Sequence, residues 1–493
     1  MSFTSVSFLL FLFPAGIILN YFTKKEYRVY ILTALSVLFY AWSGVGFLIL
    51  LTVSALLAFV SGIALEKAKK VSLRRGILAL TLIYNIGVLF GYKYLFTVFP
   101  GFSQRLARVF HIDGNLLNNI VIPLGISFYT FSILSYVIDV YIEKCEARKN
   151  FVRLYLYVIF FPKIIQGPIT RYTDFMEQLD NNETGIVLMD EGFERFIKGM
   201  VKKVLIADRL YNIVSYPFDK IRNVGTIPAW IGIITYLLQL YFDFSGYSDM
   251  AIGLGNMLGF RLPENFDHPY LSETVSEYWR RFHITLGEWF RDYVYTPVSR
   301  VLIWNEKIKS SKNPRLVCDI ISLLCVWVLT GIWHGAGLKF LLWGLWYFVF
   351  ISFERIRDDR RKKIRKKKGI KGSKKTVLQS VSDRLVTVIA TVFGYVIFRA
   401  SSLKDALIYW YRLVKWDTRD GWVFLARFDN YVIFAVLMGI VFSFPIYGFI
   451  KKNVFEKNDV TRILHRVILI IFAVITFCYA VGSGSSAFLY EVF

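Results

Sequence analysis

One histidine stands in a largely apolar stretch, "LTGIWHGAGLKFLLWG" (329–344), and it is the sharpest candidate for chemistry. An imidazole takes up and releases a proton near neutral pH, which is what activation of a hydroxyl group requires. Small and aromatic residues surround it: Gly331, Gly335, Gly337, Trp333, Trp343 and Trp346. The glycines leave room for a substrate or a helix, and His334 is therefore a candidate catalytic residue. The competing interpretation is a structural histidine bonded across two helices, with Thr330 as a partner.

A second group of reactive residues lies in "YWRRFHITLGEWFRDYVY" (278–295). The spacing predicts one amphipathic helix, because apolar and polar positions recur every three or four residues. Its polar face would carry Arg280, His283, Gly287 and Arg291. Such a face, with Arg281, would bind the phosphates of a nucleotide-like donor such as coenzyme A. In the alternative, the arginines pair with three nearby acids: Glu277, Glu288 and Asp292.

Other polar residues lie where apolar ones would be less costly. Asp243 and Asp249 occur in "LYFDFSGYSDMAIGLG", and Lys163 and Gln166 occur in "FFPKIIQGP". An ionisable group inside a membrane costs at least ~2.5 kcal/mol, so each invites a functional explanation. We expect these four residues and Trp333 to line a passage or to support it structurally. For the two aspartates we expect pairing with arginines or with hydroxyl groups.

The elements that position these residues are membrane helices. Of 493 residues, 55% are hydrophobic, the mean hydropathy is +0.48, and long apolar runs recur along the chain. Continuous runs near 20 residues predict helices rather than a barrel. The prediction is an all-α polytopic membrane protein with roughly 11–12 spans. The predicted spans are 5–22, 29–44, 46–65, 76–98, 119–142, 195–216, 226–258, 315–333, 335–353, 378–399, 430–450 and 462–482.

Two further segments, 151–170 and 272–298, are aromatic, charged and broken by proline and glycine. Irregular backbone is tolerated at membrane depth only where protein or a water-filled cavity surrounds it. We therefore expect re-entrant or interfacial helices that line a central cavity.

The net charge of +23 does not indicate a nucleic-acid partner. Residues 355–375 hold 13 Lys or Arg and 2 Asp, so much of the excess lies in one loop. This distribution is typical of a cytoplasmic loop and of contact with anionic membrane lipids. With the other basic loops on the same side, it predicts a multi-pass protein of the cell membrane whose N-terminus faces outside.

The four cysteines have no metal-ligand spacing, and we predict packed or free thiols and no metal site. They are Cys145, Cys318, Cys325 and Cys478. We also expect no bound cofactor.

Several of these motifs together resemble the membrane-bound O-acyltransferase (MBOAT) family. They are "WHGAGLKFLLWG", "GYSDMAIGLGNMLGFRLPENFDHPYLSETVSEYWRRFHITLGEWFRDYVYTP", "PLGISFYTFSILSYVIDVY" and "FFPKIIQGPITRY". The resemblance is strong over about 121–347 and points to the branch of the alginate O-acetylation protein AlgI. The D-alanyl transfer protein DltB resembles the chain more distantly. Two local departures from the pattern are "TPVSR" at 296–300 and Phe282 in "RFH".

The resemblance implies one membrane domain over 1–493, with a core at 121–347, a basic cytoplasmic loop at 354–375 and C-terminal spans at 376–493. It places the presumed catalytic histidine of the family on His334 and the second characteristic histidine on His283. It implies acetyl-CoA as a cytoplasmic donor substrate. It also implies O-acetylation of a polysaccharide outside the membrane, with a secreted or membrane-tethered acyltransferase and polysaccharide synthesis machinery as partners.

Two other functions remain open at this point. A D-alanyl transferase would use a small carrier protein as its donor. A non-enzymatic transporter or scaffold of a polysaccharide export system would make His334 replaceable.

Overall fold

The computed structural model describes residues 1–95, 122–181, 184–368, 376–482 and 488. Within these ranges the regular secondary structure is helical, and one isolated antiparallel bridge joins Phe266 and Phe282. The predicted all-α class is confirmed. Parts of the predicted spans 76–98 and 119–142, and residues 369–375 of the basic loop, lie outside the described residues.

The helices of the first half are short or interrupted in several places. They are α1 (Phe13–Phe22), α2 (Lys25–Ala41), α3 (Val45–Lys67), α4 (Val71–Phe90), α5 (Ile126–Tyr141), α6 (Phe151–Ile159), α7 (Tyr172–Asp180), α8 (Ile186–Met200), α9 (Asp208–Asp219) and α10 (Thr226–Met257). Wider π-helical turns precede α1 and follow α4 and α8, at Phe8–Leu12, Gly91–Leu95 and Val201–Ala207.

The helices of the second half include α16, a long helix whose C-terminal part is rich in lysine and arginine. They are α11 (Val275–Arg281), α12 (Ile284–Phe290), α13 (Thr296–Leu302), α14 (Glu306–Lys309), α15 (Pro314–His334), α16 (Leu338–Lys367), α17 (Val377–Arg399), α18 (Leu403–Val414), α19 (Gly421–Leu425), α20 (Asn430–Phe442), α21 (Ile446–Ile450) and α22 (Asp459–Gly482). The turns Pro269–Leu271, Arg291–Tyr295 and Lys451–Phe455 are also helical.

The chain forms two compact units. Unit 1 contains Met1–Val201, Gly246–Glu264 and Leu469–Phe493, and unit 2 contains Lys202–Ser245 and Asn265–Ile468. The chain passes from one unit to the other after Val201, Ser245, Glu264 and Ile468, and the second and fourth of these positions lie within α10 and α22. The single domain predicted from the sequence stays a prediction.

Six described helices are long and apolar enough to cross a membrane, and a pair bent by 75° brings the number to seven. They are Val45–Lys67, Val71–Tyr94, Thr226–Met257, Pro314–His334, Val377–Arg399 and Asp459–Gly482, with Asn430–Phe442 and Ile446–Phe455 as the bent pair. The prediction from hydropathy was roughly 11–12 spans, and two of its spans, 76–98 and 119–142, lie partly outside the described residues. The predicted span 195–216 is divided between α8, a π turn and α9, and 335–353 belongs to a helix that continues as a basic segment.

Helices α15 and α16 of unit 2 form an antiparallel pair, and His334 lies at the end where residues 335–337 connect the two helices. Their backbones touch at two glycines: an added Cβ at Gly331 would lie 2.6 Å from the carbonyl oxygen of Phe340, and one at Gly344 would overlap the carbonyl oxygen of Trp327. Only glycine permits this approach. The sequence prediction that glycines admit a neighbouring helix is confirmed at Gly331.

We expect Gly344→Ala to destabilise unit 2 by about 1–3 kcal/mol, because the helix backbones must separate to admit the methyl group. Thermal unfolding of the purified full chain in detergent would measure the loss. Gly87→Ala is the matched control, since a Cβ there meets nothing within 4 Å. Equal unfolding temperatures for the two variants would contradict the close packing.

Candidate active site

His283 lies at a break between α11 and α12, and its backbone is left-handed, with φ 53°. The extended segment before α11 holds this break in place. The amide of Asp267 donates to the carbonyl of Arg281 at 2.9 Å, and the amide of Ile284 donates to the carbonyl of Asn265 at 3.0 Å. A non-glycine residue in this conformation is uncommon and persists where surrounding bonds determine it.

The continuous amphipathic helix predicted over 278–295 is therefore wrong. The segment consists of α11, the turn at Phe282 and His283, α12 and a π turn. The periodicity is nearly helical on both sides of the break, and the sequence has no proline or glycine at the break itself. The bridge between Phe282 and Phe266, a residue outside this segment, decides the backbone there.

The side chain of Asn265 orients the His283 imidazole. Its Oδ1 lies 3.1 Å from Nδ1 of His283 and also accepts from the amide and hydroxyl of Thr285, at 3.2 and 2.9 Å. Because a backbone amide can only donate, this atom of Asn265 is the oxygen, and Nδ1 of His283 must carry the hydrogen. The lone pair of the ring is therefore on Nε2.

His283 is neutral over the ordinary pH range. It is 4% exposed, and its ring meets Phe244 edge-on at a centroid distance of 4.7 Å. Burial lowers its pKa to about 3 from an ordinary value of 6.5. Between these two values the unfolded chain binds the proton and the folded chain does not, so this histidine reduces stability as the pH falls through that window.

We expect Asn265→Asp to shift the pH dependence of activity. A carboxylate beside Nδ1 favours the imidazolium, so the pKa of His283 rises and activity that needs its neutral form is lost at mildly acidic pH. The measurement is the pH–activity profile between pH 5 and 8. Thr285→Val is the control, since it removes a hydroxyl bond without adding charge. Superimposable profiles for wild type and Asn265→Asp would contradict this role.

His334 is the last residue of α15 and is 6% exposed. Three aromatic rings meet it edge-on, with centroid distances of 4.5 Å to Trp333, 4.9 Å to Trp343 and 5.1 Å to Phe398. The hydroxyl of Thr330 donates to the carbonyl of Val326 at 2.7 Å within the same helix. It therefore does not donate to His334, the partner that the sequence suggested.

Trp333 brings the two histidines into one site of unit 2. Its ring lies 6.3 Å from that of His283 and 4.5 Å from that of His334, centroid to centroid. Further aromatic rings continue this wall: Trp279, Trp327, Trp343 and Tyr347. Trp346 is directed elsewhere, since its indole nitrogen donates to the carbonyl of Ala390.

The three predicted donor-binding arginines have different surroundings. Arg281 pairs with Glu277 at 2.9 Å, and Arg291 pairs with Asp292 at 2.9 Å. These are partners that the alternative interpretation named. Arg280 is exposed and has no ion pair among the residues that the structure describes. Of the three, Arg280 is the guanidinium available to a phosphate group.

Asp243 belongs to a buried charge cluster of unit 2. Lys203 Nζ lies 2.7 Å from Asp243 and 2.8 Å from Asp208, and the side chains of Lys203 and Asp243 are at most 2% exposed. Asp243 thus pairs with a lysine rather than the expected arginine. The sequence signal that was missed is Lys203 itself, a lysine next to Lys202 in the predicted span 195–216.

Asp249 belongs to unit 1 and pairs with an arginine, as predicted. Arg195 Nε donates to Asp249 at 2.6 Å, and its two terminal nitrogens donate to the two oxygens of Glu264 at 3.0 and 2.6 Å. Such two-pronged pairing fixes the orientation of the guanidinium. Arg195 was not identified from the sequence.

Lys163 and Gln166 also belong to unit 1 and are buried, at 3% and 1% exposure. They lie in the irregular segment after α6, where the sequence predicted a break. The Lys163 amine lies 3.8 Å from the centroid of the Tyr157 ring. Neither side chain has a hydrogen-bond partner among the described residues. The histidines belong to unit 2, and a shared passage stays a prediction.

Glu354 is a positioning residue that the sequence reading missed. It is 5% exposed, and its carboxylate accepts from the amides of Val275 and Ser276 at 2.7 and 2.9 Å and from the Ser276 hydroxyl. A carboxylate at a helix N-terminus satisfies free amides and the helix dipole. Glu354 thus anchors α11, which leads to His283. Its available signal was an acid at the end of the apolar run of α16, directly before the basic segment.

The fold and the site define an all-α polytopic membrane protein with two buried histidines beside one tryptophan. The model of the membrane-bound O-acyltransferase family, MBOAT, matches residues 143–368. The chain is 35% identical over 407 residues to the probable alginate O-acetylase AlgI of Pseudomonas aeruginosa, which covers 82% of this chain and 73% of that protein. The chain belongs to the membrane-bound O-acyltransferase family, and the predicted resemblance is confirmed.

Two other relatives are named for different activities. A peptidoglycan O-acetyltransferase of Helicobacter pylori is 28% identical over 538 residues, covering 99% of this chain and 97% of that protein. A teichoic acid D-alanyltransferase of Bacillus subtilis is 29% identical over 287 residues, covering 57% and 69%. The protein is an enzyme, a membrane-bound O-acyltransferase.

Proposed function

We propose that this enzyme moves an acetyl group from cytoplasmic acetyl-CoA across the membrane for O-acetylation of a polysaccharide outside the cytoplasm. The observation that carries the proposal is the pair of buried histidines at Trp333 in a membrane-bound O-acyltransferase. The similarity to proteins described as an alginate O-acetylase and a peptidoglycan O-acetyltransferase supports acetyl as the group and a glycan as the acceptor.

In this proposal His334 removes the proton from the acceptor hydroxyl. The acceptor oxygen then bonds to the carbonyl carbon of the thioester, the carbon–sulfur bond breaks, and the thiolate of coenzyme A takes up the proton. A positioned general base contributes about 10²–10⁴-fold to such a transfer. The aromatic walls around the imidazole exclude water, which otherwise hydrolyses the thioester.

His283 has a supporting role in the proposal. With its proton held on Nδ1 by Asn265, its Nε2 accepts a hydrogen bond from a substrate hydroxyl or thiol. Arg280 supplies the phosphate contact to coenzyme A, and Arg281 and Arg291 orient the nearby loops through their acids. Acetyl-CoA is a substrate here, and we propose no bound cofactor.

We place the protein in the cell membrane. In the proposed orientation, the basic part of α16 lies in the cytoplasm. Cytoplasmic loops carry an excess of lysine and arginine, and residues 355–368 fit this rule. Because α15 and α16 are antiparallel, His334 then lies towards the outer face. The N-terminus faces outward, and the partners are membrane lipids, a secreted or membrane-tethered acyltransferase and polysaccharide synthesis machinery.

A second candidate function is D-alanyl transfer to a cell-wall polymer, favoured by the similarity to a teichoic acid D-alanyltransferase. We favour acetyl because the O-acetylase relatives match a larger share of this chain. The test is to compare the esters on exported polymers from cells with and without the gene. Mild base releases acetate in the first case and D-alanine in the second. Release of neither would contradict both transfers, and a transporter would then become the better explanation.

The donor is tested separately with the purified protein in lipid nanodiscs. Acetyl-CoA labelled in the acetyl group should transfer its label to a glycan, and free coenzyme A should appear in equal amount. A requirement for an acylated carrier protein instead of acetyl-CoA would overturn the donor assignment.

A further inference from the structure

Two buried indole N–H groups near His334 lack a hydrogen-bond acceptor. They belong to Trp343 on α16 and Trp279 on α11, and neither Nε1 atom has a partner within the part of the chain that the structure describes. Trp343 is 1% exposed. A buried indole N–H usually finds a partner, because an unsatisfied donor costs free energy in the folded state. An acceptor that binds at this place would therefore remove a cost that the folded protein carries.

Other tryptophans of unit 2 follow the usual rule. Three indoles donate to backbone carbonyls: Trp230 to Leu413 at 2.9 Å, Trp346 to Ala390 at 2.9 Å and Trp410 to Phe393 at 3.1 Å. Trp346 lies one turn after Trp343 on the same helix. The two open donors are thus particular to the site beside His334.

The two indoles lie where an acyl group that reacts at His334 must lie. The ring of Trp343 meets the His334 imidazole edge-on at a centroid distance of 4.9 Å, and the ring of Trp279 meets that of Trp343 edge-on at 5.6 Å. A general base lies about 3 Å from the hydroxyl that it deprotonates, and the hydroxyl oxygen lies about 3 Å from the carbonyl carbon that it attacks. The reacting carbonyl therefore lies roughly 6 Å from the imidazole, which is the range of these two indoles.

The chemistry of the indole group narrows the missing partner to an acceptor without a permanent charge. An indole nitrogen donates and does not accept, so its partner is an acceptor atom such as oxygen. Trp327 and Tyr347 contact both indoles, so the surroundings are aromatic. A permanent anion would be costly among such rings. A carbonyl oxygen, which gains negative charge only during the reaction, fits both conditions.

We propose that Trp343 and Trp279 donate their indole N–H groups to the carbonyl oxygen of the acyl group during transfer. This inference rests on the proposed function, and it adds the groups that stabilise the reacting carbonyl. When the acceptor oxygen bonds to the carbonyl carbon, the π electron pair of the carbonyl moves onto its oxygen, which the two N–H groups then hold. The pair returns as the carbon–sulfur bond breaks, and the leaving thiolate takes the proton that His334 had removed from the acceptor hydroxyl.

Both donors are held in place before the substrate binds. Trp343 precedes Gly344, where α16 packs directly on the Trp327 carbonyl of α15. Trp279 lies on α11, whose first amides donate to the buried carboxylate of Glu354. Donors that are fixed in advance stabilise a developing charge without reorganisation during the reaction.

The test is the steady-state rate of acyl transfer by the purified full chain in lipid nanodiscs, with labelled acetyl-CoA and the glycan that the cells export. Trp343→Phe removes the N–H group and keeps an aromatic ring. We expect kcat to fall by about 10²–10³-fold, as for other donors to a developing oxyanion. We expect KM for acetyl-CoA to change by less than about threefold, because the contact strengthens only in the transition state. Trp279→Phe should lower kcat in the same way.

Trp346→Phe is the matched control. It makes the same substitution on the same helix, but it removes an N–H group that donates to a backbone carbonyl. It should keep the wild-type kcat when the rate is expressed per folded protein.

A second variant separates the N–H group from the size of the ring. Replacing Trp343 by 3-benzothienylalanine, through amber-codon suppression, puts sulfur in the place of N–H in a bicyclic ring of nearly the same shape. The unfolding temperature should stay close to that of the wild type, because the lost donor had no acceptor in the folded protein. The loss of kcat should match that of Trp343→Phe.

Wild-type kcat in the benzothienylalanine variant would overturn the proposal, because the indole would then act only by packing. So would a loss of kcat in Trp346→Phe as large as that in Trp343→Phe. A rise in KM at unchanged kcat would also contradict the proposal, since the N–H group would then bind the ground state and the transition state equally.

The esters on exported polymers separate this proposal from the proposed function. Loss of D-alanyl instead of acetyl esters in cells with Trp343→Phe would contradict acetyl as the transferred group, and the assignment of the two donors would stand. Acetyl transfer by Trp343→Phe at the wild-type rate would leave the function standing and contradict the assignment of the donors. Absence of any ester that depends on the wild-type gene would contradict both.

Discussion

Replacing His334 by alanine is expected to reduce acyl transfer by about 10²–10⁴-fold, while the protein still inserts into the membrane. The physical reason is the loss of the group that removes the proton from the acceptor hydroxyl at a site walled by Trp333, Trp343 and Phe398. The measurement is the ester content of the exported polymer, at matched amounts of protein in the membrane, together with release of free coenzyme A from acetyl-CoA by the purified enzyme.

Two controls separate chemistry from packing. His334→Gln keeps most of the side-chain volume and a polar end, so it should fold normally and remain inactive. His465→Gln changes another buried histidine, which contacts Tyr447 at 3.0 Å, and it should retain activity. Wild-type ester content in His334→Ala would show that His334 has only a structural role, and the catalytic assignment would then be wrong.

Replacing Lys203 by methionine is expected to lower the free energy of unfolding by about 3–5 kcal/mol, because Asp243 would be left buried without its cation. Lys203 also contacts Asp208, so the single substitution removes two ion pairs at once. Thermal unfolding of the full chain in detergent would measure the effect. Lys202→Met changes the preceding residue, which lies near the Tyr241 ring, and should cost much less.

The double substitution Lys203→Met with Asp243→Leu tests the cause. It removes the stranded buried charge and leaves Asp208, whose side chain is 27% exposed, able to reach water. Most of the stability should return. A stable double variant that retains acyl transfer would show that the role of Asp243 is structural. A stable but inactive double variant would show that Asp243 contributes to the reaction, contrary to our interpretation.

Local patterns predicted much of the candidate site. The motif around His334 contained the histidine, the glycines of the close helix contact and two of the three aromatic walls, Trp333 and Trp343, within 16 consecutive residues. The break in the segment after α6 was signalled by proline and glycine. In contrast, the break at His283 had no such signal, because residues 265–267 impose it through backbone bonds.

The ion pairs show the same limit. Asp243 and Asp249 stood out as acids among apolar residues, but Lys203 and Arg195 lie 40 and 54 residues away from them in sequence. Many basic residues satisfy a spacing argument equally well. Only the packing of one helix against another selects the partner.

The sequence by itself determined the class of this protein, its membrane helices, its family and the candidate reactive residues, because hydropathy, charge and motifs are properties of neighbouring positions. The tertiary structure decided the left-handed backbone of His283, the proton position on its ring, the partners of the buried acids and the meeting of two histidines at Trp333. These features depend on contacts between segments distant in sequence, and such contacts form only when the chain folds.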